Sequence, residues 1–111
     1  MSWFSRFANS DILRIKDNID RLLSLKKTVH GLGYLVMASP TNGYMKLTEL
    51  LKDPLVRGRE KVYAKLSEAL HGDLNQKIAL DAPTKFKEIM VVAEKLIDSE
   101  IGKEKKKLLD T

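Results

Sequence analysis

Along most of this chain, apolar residues recur three and four positions apart, the spacing of one helix face. The clearest run is Ile12, Ile15, Ile19, Leu22, Leu25, Val29, Leu32 and Val36. It predicts a first helix from about Ser10, an acceptable N-cap, to His30 or beyond. Asp17 and Arg21 reinforce it as an i,i+4 pair. Gly31 and Gly33 each weaken a helix by about 1 kcal/mol relative to alanine, so a break or kink is expected there. Tyr34 to Ala38 has no polar side, which predicts a helix buried all round or a short buried strand.

Proline and glycine divide the remainder. Ser39 to Gly43 reads as a turn, with Pro40 and Asn42-Gly43 as its signals. A second helix is expected over Tyr44–Lys52, with Leu47, Leu50 and Leu51 inward. A third begins at Pro54, capped by Asp53, with Leu55, Val62, Leu66 and Leu70 inward and Gly72 as its stop. Asp73 to Leu80 reads as a short fourth segment. The last helix runs from Pro83 into the tail. Its broad stripe of Phe86, Ile89, Met90, Ala93, Leu96, Ile97 and Ile101 implies more than one neighbour and a central position. No segment alternates as a strand would. The expected fold is therefore an all-α bundle of four to five helices in one domain, residues 1–111. Its core should centre on Ile15, Ile19, Leu22, Val29, Leu50, Val62, Leu66, Phe86, Ile89, Ala93 and Ile97.

Length sharpens this picture. A compact domain of 111 residues has a radius of gyration of about 13 Å, or a diameter near 34 Å. A helix from Ser10 to Ala38 would span about 43 Å. Three outcomes are open: the first helix breaks, the body is elongated, or apolar surface protrudes to meet another chain.

Composition removes several chemistries. There is no cysteine, hence no disulfide, thiolate metal site or cysteine nucleophile. No apolar run is long enough to span a bilayer. The first eighteen residues do not read as a secretory signal. The two histidines, His30 and His71, read as helix ends, and two ligands fall short of the three or four that zinc takes. Gly31-Leu32-Gly33 lacks the third glycine and preceding strand of a dinucleotide site. The acid pairs Glu49 with Asp53 and Glu94 with Asp98 have the spacing of a solvated helix edge. No catalytic, cofactor-binding or metal-ligating residue is expected, and no small-molecule substrate.

Two features point to contacts instead. Trp3, Phe4 and Phe7 crowd into the first nine residues, and Phe4, Ala8, Ile12 and Ile15 carry this apolar character into the first helix. The aromatics could cap the core, anchor a partner or twin subunit, or rest on a membrane surface. The last is disfavoured because only Arg6 and Arg14 lie near in sequence. At the other end, Leu108 and Leu109 follow the basic run 103–107 and continue the stripe of Ile97 and Ile101, so they too are interface candidates.

The net charge of +5 raises a second possibility. Arg57, Lys61 and Lys65 recur every fourth residue and would form a basic ridge able to hold phosphates. Arg59 falls between Leu55 and Val62 on the apolar stripe, so it must reach water or meet an acidic partner. The expected function is a small non-enzymatic protein–protein interaction module, an adaptor, assembly component or inhibitor of a larger complex. It would be a cytoplasmic accessory protein of a bacterium or virus (host cytoplasm or virion), binding a protein partner or its own copies. The alternative is a nucleic-acid-binding protein using Arg57, Arg59, Lys61 and Lys65.

Overall fold

A computed structural model describes the backbone of residues 2–70 and 82–110, with side chains from residue 10 onward. Five helices form among the described residues: α1 (Ser2–Ala38), α2 (Pro40–Leu50), α3 (Pro54–Arg57), α4 (Glu60–Leu70) and α5 (Pro83–Leu109). The all-α expectation holds. The fourth segment, Asp73 to Leu80, and the stop at Gly72 lie outside the described residues.

The size conflict resolves toward elongation. Principal extents are 60 × 22 × 19 Å, and the radius of gyration is 16.7 Å against about 13 Å for a compact domain. The cause is α1, which runs unbroken for 37 residues, about 55 Å at 1.5 Å per residue. The expected break at Gly31 and Gly33 does not occur. Two glycines cost about 2 kcal/mol of helix propensity. The α1 side chains Val29, Leu32 and Val36 around them are buried, each stabilising by about 1.5–3 kcal/mol. Packing therefore outweighs propensity. The expectation that Tyr34 to Ala38 is buried all round is also corrected: Val36 is enclosed, but Tyr34 and Met37 are more than half exposed.

Helix α1 stops where Pro40 follows Ser39. Proline disfavours helical geometry in the residue before it, and Ser39 is extended at φ −149°. Pro40 then opens α2 directly, so Asn42-Gly43 lies inside a helix rather than in a turn. α2 begins four residues earlier than expected and ends at Leu50. It lies back along α1 so closely that Gly43 is buried against Val36.

Asp53 caps α3 as expected, its Oδ1 accepting from the Leu55 N–H at 2.9 Å. The single third helix is corrected to two, because the chain bends at Gly58 and Arg59 before α4 starts. The bend turns Val56 fully inward and leaves Leu55 at the margin. Leu50 and Ile89 likewise sit at the edge of the core, while Leu47, Leu51 and Val56 lie within it. α5 packs along α1 on one side and against α4 on another, as its broad stripe required.

Candidate contact surface

The four basic side chains of the nucleic-acid reading do not form one ridge. The bend at Gly58 separates Arg57 from Lys61. Arg57 donates from Nε to the Leu51 carbonyl at 3.2 Å, and Lys65 pairs with Glu68 at 2.7 Å. Arg59 turns inward to α5, its guanidinium 3.8 Å from Glu100 and 3.5 Å from Glu104. Lys61 is exposed and forms no ion pair among the described residues. The acidic partner that Arg59 required is thus internal. Glu104 is almost wholly buried, and its Oε1 also receives Lys107 at 3.2 Å. Its Oε2 finds no hydrogen-bond partner among the described residues. This cluster fastens the α3–α4 bend onto α5.

A second set of pairs fixes how α1 and α5 meet. Lys26 binds Asp98 at 2.9 Å, and His30 Nδ1 lies 3.0 Å from Glu94. The Asp98 hydrogen bond, helped by the charges of Asp98 and Glu94, holds the Lys26 ammonium above its usual 10.5 against a smaller desolvation effect. One turn further, Lys87 stands 4.5 Å over the Tyr34 ring, whose edge meets His30. His30 is therefore a mid-helix residue, not a helix end. A shallow groove lined by Leu23, Lys26, Lys27, His30 and Glu94 runs beside these pairs. No group of three metal-ligating side chains occurs among the described residues. His71 lies outside them.

These pairs set an antiparallel register in which residue 26 faces 98 and residue 30 faces 94. Carried to the end of α5, it places Leu109 level with Ile15. Among the described side chains of α1, Ile15 is the first that is buried; Ile12 is half-buried and Leu13 is 66% exposed. The first 13 or so residues of α1 thus run about 20 Å past the last turn of α5. Trp3, Phe4 and Phe7 occupy that stretch and are helical, continuous with α1 rather than a separate arm.

The same register brings the basic C-terminal turns to this end. Lys105 and Lys106 are exposed and form no ion pairs among the described residues, as is Lys16 on α1. Lys103 pairs with Glu100 at 3.0 Å. Of the two terminal leucines, Leu108 packs against the core margin and Leu109 is 87% exposed. Trp3, Phe4 and Phe7 and the lysines of the tail stand at opposite ends of the sequence; the antiparallel pairing brings their helix segments to the same end of the molecule.

No helix of the described residues is long and apolar enough to cross a membrane. No protein-family model matches the sequence, and comparison with curated proteins and with solved structures finds no similar chain.

Proposed function

We propose that this chain is a small non-enzymatic helical module that acts by contact with other protein chains, in the cytoplasm, as an adaptor, assembly component or inhibitor of a larger complex. The observation that carries the reading is the overhang of α1. From Ile15 onward its apolar seam is covered by the chain's own helices. Phe4, Ala8 and Ile12 continue that seam beyond the end of α5. Burying aromatic side chains of this size is a strong drive for association, and such residues dominate interface energetics. Leu109 and the lysines of α5 would form the rim.

The nucleic-acid alternative draws less support. Three of its four side chains are engaged with groups of the chain itself, which leaves few cations to displace counterions.

The test is deletion of residues 1–8. If the overhang serves outside contacts, the shortened chain keeps its urea midpoint, within about 0.5 kcal/mol of stability. A loss of several kcal/mol would show that the aromatics belong to the chain's own core, and the reading would fail.

A further inference from the structure

Asn42-Gly43 has the sequence of a turn and the structure of a helix. It is the one place in the chain where glycine follows asparagine. In such a pair the glycine amide nitrogen can attack the asparagine side-chain carbonyl carbon, because a residue without a Cβ leaves the approach open. The attack needs two things. The backbone must leave helical geometry to bring the nitrogen to Cγ, and the nitrogen must be free to lose its proton. Helix α2 denies both. Ser39 stands at its N-cap, so Asn42 and Gly43 are its third and fourth residues. The Gly43 N–H donates to the Ser39 carbonyl at 3.0 Å. Gly43 is also buried against Val36 of α1, which holds its backbone in place. Asn42 itself is exposed to water.

We propose that Asn42 is a self-modification site that α2 keeps closed and that opens when this helix lifts from α1. Once α2 lifts, the Gly43 nitrogen gives its proton to hydroxide and attacks Asn42 Cγ. A new C–N bond forms, the bond from Cγ to the side-chain nitrogen breaks, and that nitrogen takes a proton from water and leaves as ammonia. The product is a succinimide ring. Water then opens the ring at either carbonyl. Opening at Cγ leaves an aspartate; opening at the main-chain carbonyl leaves an isoaspartate, whose chain runs on through Cγ. The net change is amide plus water to acid plus ammonia, with no oxidation or reduction. The two products act in opposite ways. An aspartate in the first turn of α2 sits well with the positive end of the helix dipole. An isoaspartate lengthens the backbone by one carbon, so the Gly43 N–H cannot meet the Ser39 carbonyl while Gly43 lies on Val36. α2 cannot then redock as before, and a transient opening becomes a permanent one.

The test follows residue 42 by peptide mass spectrometry during incubation in mildly alkaline buffer, with aspartate and isoaspartate separated by chromatography. The folded chain should convert about 100-fold more slowly than the chain in concentrated urea, because only opened molecules react. Two variants then locate the gate. Leu47→Ala removes the fully buried anchor of α2 and should speed conversion in the folded state about tenfold or more. Ile15→Ala weakens the same core about 30 Å away along α1 and should speed it far less. Both should match the parent in urea. Circular dichroism confirms folding, and valine replaces alanine in either variant that unfolds. Equal rates in the folded and urea-unfolded parent overturn the closure by α2. No conversion in urea overturns the site itself. Equal acceleration by the two variants shows that Asn42 reacts only on global unfolding, which overturns the α2 gate.

Discussion

Two glycines in helices of this protein should respond in opposite directions to the same substitution. Gly31 lies on the exposed side of α1, and a Cβ added there meets nothing within 4 Å. Gly31→Ala should therefore stabilise the fold by about 1 kcal/mol, the propensity difference between the residues. Gly43 lies in α2, where an added Cβ would stand 2.9 Å from the Val36 Cβ and 3.0 Å from its Cα. Carbon atoms prefer about 3.5–4.0 Å, so the helices would have to separate by more than half an ångström. Val36 cannot turn aside, because β-branched side chains in helices hold one rotamer and the Cα is backbone. Overpacking of this kind costs about 1–3 kcal/mol, toward the upper end here. After the propensity gain, Gly43→Ala should lose about 1–2 kcal/mol. Urea titration reads both variants. The midpoints should move apart while the slope stays constant, since neither change alters the surface exposed on unfolding. Each kcal/mol should also move the melting temperature by about 4–8 °C. If Gly43→Ala is as stable as the parent, the close α1–α2 approach is wrong. If Gly31→Ala gains nothing, α1 is not an unbroken helix through residue 31.

Other substitutions probe the polar contacts. Arg59→Met leaves the buried Glu104 with Lys107 as its remaining cation in the cluster and should cost about 3 kcal/mol in urea titration. Arg59→Met combined with Glu104→Leu should return to within about 1 kcal/mol of the parent, since paired removal of a buried charge and its partner is often neutral. A single substitution as harmless as the double would refute the clamp. The Lys26 pKa is raised, so the stability it contributes is fully present below 10.5 and is lost as pH climbs through the higher folded value. Asp98→Asn should flatten that alkaline decline, read by thermal melts across the alkaline range; an unchanged slope would exclude the pair as its source.

Much of the fold was legible because it depends on local period and local stereochemistry. The seam from Ile15 to Val36, the Asp53 cap and the inward stripe of α5 are written in spacing and residue type. The conflict at Arg59 was legible too: a guanidinium on an apolar stripe needs a carboxylate, although spacing could not say that Glu100 and Glu104 supply it. Helix continuity was not legible. Gly31 and Gly33 are weak positions by propensity, and only the burial of Val29, Leu32 and Val36 against other helices carries α1 through them. The bend at Gly58 was missed for the same reason, since Arg59 is drawn to α5 across forty residues of sequence.

The sequence by itself determined that the chain is helical, which faces of its helices are apolar, and that Trp3, Phe4 and Phe7 stand close together. Tertiary structure decided where those aromatics lie relative to everything else. The ion pairs of Lys26 and His30 with α5 fix a register, and that register ends α5 level with Ile15. An overhang is a difference between two helix lengths at a given alignment, and alignment is set by contacts between residues more than sixty positions apart. Periodicity within one helix cannot encode it.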